Sequence, residues 1–164
     1  MKLLINQIFE NKEAAALPGL LESGGLPALI SGLSAVHRAN LAAGLRYKTE
    51  LPLFVICPDD TAAENFAKDL RSMLGEEAST LTMRDFTFFQ AEAVSRQAEQ
   101  RRISTLFSLT ERLCRVCVAS VSGLMMRTIP PETLKNAAFE IKADGSYEIE
   151  AIEKALIDCG YVRR

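Results

Sequence analysis

Eight consecutive residues invite a chemical reading. GLSAVHRA, Gly32 to Ala39, follows the apolar run LPALI (Leu26 to Ile30) and leads into a helical pattern over Ala35 to Leu45. A phosphate-binding loop, G-x-x-x-x-G-K-[ST], works in that setting between a strand and a helix. Its glycines let backbone N–H groups wrap the phosphates, its lysine neutralises charge, and its hydroxyl holds Mg²⁺. Here the register keeps only the outer glycine, Gly32. His37 stands at the inner glycine, Arg38 at the lysine and Ala39 at the hydroxyl. A ring and Cβ at 37 fill space the phosphates need and disfavour the conformations that glycine permits. Arg38 keeps a charge but as a planar fork rather than a compact ammonium, and Ala39 has no metal ligand. The outline is that of a phosphate loop whose chemistry is gone, and an ordinary strand-to-helix loop shares that outline.

Other reactive residue types point to less. The four cysteines are 57, 114, 117 and 159. Cys114 and Cys117 form a C-x-x-C inside LCRVCVASV, which reads as a buried strand. Residues three apart in a strand point to opposite faces, and no second Cys or His pair completes a metal site. The expected roles are core thiols and no metal. Between Arg84 and Arg127 there are seven Arg against four acids, while the whole chain carries a net charge of −2. That balance suits a solvated helix face, Arg101–Arg102 included, better than a nucleic-acid trap. The aromatic trio Phe86, Phe88 and Phe89 has the residue type that stacks on bases, yet Phe86 and Phe88 alternate as one packed face of an extended segment would.

The elements that must position these residues alternate short apolar runs with amphipathic helices, the pattern of an α/β fold with a mainly parallel sheet flanked by helices. An N-terminal helical region occupies residues 1–25, closed by the turn cluster Glu22-Ser23-Gly24-Gly25. Strands are expected at Leu26 to Ile30, Leu51 to Cys57, Ser79 to Met83 and Arg115 to Val121. Asp59, Asp60 and Thr61 offer caps for the next helix, Thr61 with Glu64 as a capping box, and Phe66, Leu70, Met73 and Leu74 mark its inner face. Ser95 caps a further helix with Ile103, Leu106 and Phe107 turned inward. Pro130-Pro131 separates a first domain, 1–130, from the start of a small second α+β domain, 131–164. There AFEIKADG reads as strand and turn, followed by a helix with Ile149, Ile152 and Leu156 inward. GYVRR has nothing after it to pack against, which predicts a cut inside a longer polypeptide. No window approaches the roughly 20 apolar residues that span a bilayer, and MKLLINQIFE is too interrupted for a signal peptide; the expected location is the cytoplasm.

The order of these segments resembles the first domain (1a) of the UvrB-type nucleotide-excision-repair helicases. LFVICPDDTAAENFAKDL is similar to the second strand and helix of that domain. RDFTFFQAEAVSRQAEQRRISTLFSL is similar to the segment with the "FF-x-x-E-A" run, and RVCVASVSGLMMRTIPPE to the strand ending in "V-A-S-V". FEIKADGSYEIEAIEKALIDCGYVRR resembles the approach to the small second domain, ending in "G-Y-x-R". The degraded loop departs from UvrB itself. So does the direct run from Glu92-Ala93 into the Ser95 helix, which leaves no room for UvrB's strand-separating hairpin. Both departures resemble the N-terminal module of bacterial transcription-repair coupling factors.

That resemblance implies a non-catalytic module with no cofactor of its own, in a DNA translocase whose ATP- and Mg²⁺-using motor lies downstream. It implies release of stalled RNA polymerase, contact with double-stranded DNA through other parts of the protein, and recruitment of UvrA through the completed second domain. Arg163, at the "G-Y-x-R" arginine, is the partner-binding candidate. The alternatives are a UvrB-like excision-repair ATPase fragment and a stand-alone α/β protein that binds a small molecule.

Overall fold

A computed structural model describes residues 7–25, 27–75, 78–83 and 96–161. It divides into two compact units, Met1–Arg127 and Thr128–Arg164.

The first unit is built on three parallel strands in the order β1-β3-β2: β1 Leu53–Cys57, β2 Ser79–Leu81 and β3 Val116–Ser120. Three of the four runs expected as strands in this unit form them, at slightly shorter bounds. β3 is buried at every position, as a continuous apolar run between two neighbours should be. Around the sheet lie α1 (Lys12–Ser23), α2 (Ala35–Thr49), α3 (Asp60–Leu74), α4 (Arg96–Thr110) and the short α5 (Val121–Met125). Alternation along the strands makes two cores. Val116 and Val118, with Leu53, Val55 and Cys57, pack under Ala63, Ala67 and Leu70 of α3 and Ala43 of α2. Cys117, Ala119 and Leu81 pack on the other face with Leu106 and Leu109 of α4. Phe66, Met73 and Leu74 join the first core as their spacing predicts.

Several expectations change. Residues 27–30 form no strand, and Leu29 is 96% exposed; Leu26 lies outside the described residues. An apolar run becomes a strand only beside a pairing partner, and Pro27 brings no N–H to any ladder. Helix α3 begins one residue before Thr61. It is capped by Asp59, whose carboxylate accepts from the Ala62 N–H at 2.8 Å, so the Thr61–Glu64 box is not used. Helix α4 turns Thr105 inward and leaves Ile103 46% exposed. The Thr105 hydroxyl donates to the Thr80 carbonyl and the Arg102 guanidinium to that of Thr82; unpaired β2 carbonyls set the rotation of this helix more strongly than one isoleucine. The Ser95 cap and the Phe86, Phe88 and Phe89 trio lie outside the described residues.

Cys114 precedes β3 rather than lying in it. It therefore escapes the strand's alternation and joins the same cluster as Cys117. Burial first, then the adjacent Cys114 thiol, pushes the Cys117 thiol up to about 12.

The second unit holds α6 (Pro131–Ala137) and α7 (Ile149–Asp158). Among its described residues there is no strand; 138–142 is irregular, with Phe139 and Ile141 about half exposed. An isolated strand has no ladder to join. The Tyr147 hydroxyl accepts from the Lys142 N–H at 2.9 Å and closes the intervening loop. Ile149 is exposed rather than inward.

Cys117 should resist maleimide in the native protein at pH 8, where a thiol near pKa 12 is only about one ten-thousandth thiolate, while exposed Cys159 reacts. A folded thiol pKa raised from 9.0 to about 12 keeps its proton after the unfolded chain has lost it, so stability from this group falls as pH climbs through that window. Mass-resolved alkylation checks the first expectation, and urea unfolding at rising pH beside Cys117→Ala checks the second.

Candidate functional site

In a parallel sheet the loops at the carboxyl ends of the strands converge on one edge, where α/β proteins place their ligands. Three strand ends meet there. After β1, Asp59 caps α3 and Asp60 begins it. The Asp60 carboxylate accepts from the Met83 N–H beyond β2 at 3.1 and 3.2 Å, and from the Ser122 hydroxyl beyond β3 at 3.3 Å. The Ser120 and Ser122 hydroxyls lie 3.1 Å apart, and Ser120 caps α5 by accepting from the Gly123 N–H at 2.9 Å. Arg102 reaches in from α4 and donates to the carbonyls of Thr82 at 2.9 Å and Gly123 at 3.0 Å. Burial lowers the Arg102 pKa and the Asp60 carboxylate opposes that shift. One carboxylate and one guanidinium thus tie the exits of all three strands together. Gly123 is required there, because a Cβ would stand 2.3 Å from the Leu81 carbonyl oxygen.

The Gly32–Ala39 segment starts α2. Gly32 takes the left-handed conformation, φ +77°. Ser34 is the N-cap: its side chain accepts from the His37 N–H and lies 3.0 Å from His37 Nδ1, and the Arg38 N–H donates to the Ser34 carbonyl at 3.0 Å. His37 and Arg38 are exposed, whereas Ala39 is fully buried. Burial and the Asp59 charge raise the Cys57 thiol pKa while Arg38 pulls it down, which brings the start of α2 within electrostatic reach of the end of β1. Arg163 lies outside the described residues. No group of three or more His, Cys, Asp or Glu that would hold a metal occurs among the described residues, and no helix there is long and apolar enough to cross a membrane.

Sequence reading named the first turn of α2 and passed over the Asp60–Ser120–Ser122–Gly123–Arg102 network. Its signals were a Pro-Asp-Asp step closing one strand and Ser-Val-Ser-Gly closing another, both legible as turn chemistry but without an order of strands to join them.

No family model matches the chain, and no solved structure matches it. Curated relatives do. Over 157 residues, 95% of this chain, it is 23% identical to the transcription-repair-coupling factor of Bacillus subtilis (strain 168). It is 22% identical to the UvrABC system protein B of Mycoplasma genitalium over 98% of this chain, and 23% identical to that of Thermobifida fusca over 87%. The chain is thus similar to UvrB and to the coupling factor over nearly all of its length. It spans 13% of the coupling factor's length and 26% and 22% of the two UvrB proteins'. The α/β sheet lies within the region that those matches cover.

Gly123→Ala should destabilise the first unit by about 1–3 kcal/mol, since the added methyl meets backbone that cannot swing aside. Gly19→Ala, inside α1 with open space around it, should be neutral or stabilising by about 0.5–1 kcal/mol. Urea midpoints of the two variants beside the parent protein decide the contrast.

Proposed function

We propose that the chain is the non-catalytic, UvrB-like N-terminal module of a transcription-repair coupling factor, a protein that moves along DNA with ATP, frees stalled RNA polymerase and recruits UvrA for excision repair. The observation that carries the non-catalytic reading is the start of α2. Ser34 occupies the His37 N–H that a phosphate cradle would leave open. The side chain at 39, where a Mg²⁺-holding hydroxyl would stand, is instead packed in the core with no exposure. The match to the coupling factor over 95% of this chain supports the assignment to that protein. ATP and Mg²⁺ then belong to a motor elsewhere in the polypeptide, and the module works in the cytoplasm as a scaffold.

A second reading, a UvrB-like ATPase fragment, is favoured by the matches to two UvrB proteins. Calorimetry with Mg-ATP separates the two. The scaffold reading expects no heat of binding, and none after His37→Gly, Arg38→Lys and Ala39→Thr together, because residue 39 faces the core. A micromolar dissociation constant for the parent chain returns the assignment to the ATPase.

The partner surface for UvrA is assigned to the C-terminal end, at Arg163, where a guanidinium fork is suited to bidentate pairing with carboxylates. In a polypeptide extended through the second domain, Arg163→Ala should weaken UvrA binding by about tenfold or more, with Arg38→Ala neutral. Loss of binding in Arg38→Ala alone places the surface at the other end.

A further inference from the structure

Along the outer edge of β2 the backbone acceptors are spent and donors are left over. The carbonyls of Ala78, Thr80 and Thr82 point away from β3 and accept from Arg71, Thr105 and Arg102 respectively. The N–H of a strand residue leaves on the same side as its carbonyl, so the Thr80 N–H points outward too. Among the described residues nothing accepts from it. A cleft of about 570 Å³ runs beside this edge, lined by Arg71 of α3, Ser79 and Thr80 of β2, and Gln100, Arg101 and Ser104 of α4. Arg71 places Nε and Nη2 on the neutral Ala78 carbonyl, which leaves Nη1 and the whole positive charge uncompensated. Arg101 is exposed. No described acid lines the cleft, and among the described residues neither guanidinium meets a carboxylate.

We infer that this cleft is a phosphate-binding site, for inorganic phosphate or the phosphate end of a small phosphorylated molecule. Two guanidiniums in one cleft match a doubly charged oxyanion, and each can donate through two N–H groups at once. The Ser79 and Ser104 hydroxyls and the Gln100 amide add neutral donors. These groups come from three elements, α3, β2 and α4, so they approach from several directions, as a tetrahedral anion requires and a planar carboxylate does not. The volume falls in the range of small-molecule sites, with room for a body attached to the phosphate. The cleft is not the Gly32–Ala39 segment under another name. That segment adjoins the end of β1, and the order β1-β3-β2 puts the cleft at the opposite edge of the sheet. Its guanidiniums stay in contact with water and are screened by salt, so inorganic phosphate alone should bind with a dissociation constant on the order of 1 millimolar.

The test is an NMR titration of the 164-residue chain with inorganic phosphate at fixed ionic strength. Backbone amides of Ser79, Thr80, Arg101 and Ser104 and the Arg101 side-chain N–H should shift together and saturate by about 20 millimolar. Arg101→Ala should weaken binding by about tenfold or more. Arg101 and Ser104 are exposed, so Arg101→Ala and Ser104→Ala test the site without disturbing the Arg71 bond to Ala78. Ribose 5-phosphate binding more tightly than inorganic phosphate assigns the cleft to a phosphorylated molecule; equal affinity assigns it to phosphate itself. Acetate at the same ionic strength should not saturate these signals. Equal saturation by acetate overturns the proposal, as does a response no larger at Arg101 than at exposed Arg38. The sequence places Glu76 and Glu77 just before Ala78, outside the described residues. Binding that appears only after Glu76→Gln with Glu77→Gln also overturns the proposal, because the guanidiniums then serve the chain's own carboxylates. A millimolar site gives no heat at the micromolar concentrations of the Mg-ATP experiment, so this proposal and the functional reading fail separately.

Discussion

The pairing of β3 with a parallel strand on each side is the constraint on which the rest depends. Val116–Ser120 is buried at every residue, and a peptide group removed from water must find a hydrogen-bond partner or cost about as much as a lost bond. β1 and β2 supply those partners. Once they do, alternation sends Val116 and Val118 to one face and Cys117 and Ala119 to the other, and helices must cover both. Each parallel connection has to cross back over the sheet, which is why α3 and α4 follow β1 and β2.

The same geometry gathers the polar residues. Parallel strands all release their chains at one edge, so Asp60, Met83, Ser120, Ser122 and Gly123, distant in sequence, become neighbours. Arg102 closes the group because a guanidinium can donate to two carbonyls at once, where lysine offers only a point charge. This network stiffens the strand exits with groups whose hydrogen bonds are spent on the fold itself. The start of α2 shows the same economy: Ser34 serves its own helix by capping His37.

What was legible in the sequence follows from how local each signal is. The strands at 53–57, 79–81 and 116–120 and the inner face of α3 were readable because side-chain periodicity and β-branched runs act within a few residues. The strand expected through 27–30 was not there, because pairing needs a partner that no local pattern supplies. Ile103 lost its inward place to Thr105, because the carbonyls of a distant strand needed donors. Cys114 and Cys117 share one cluster because the strand begins two residues after the first of them.

By itself the sequence determined the α/β class, the parallel strands, the helix between each pair, and a loop at Gly32–Ala39 without the lysine and hydroxyl of phosphate chemistry. Those are properties of residue type and short-range spacing. The tertiary structure alone decided the order β1-β3-β2, which residues meet at the carboxyl edge, and the burial of Ala39. Each depends on which backbone groups lie side by side, and hydrogen bonds between distant segments are satisfied only by a particular arrangement of the whole chain.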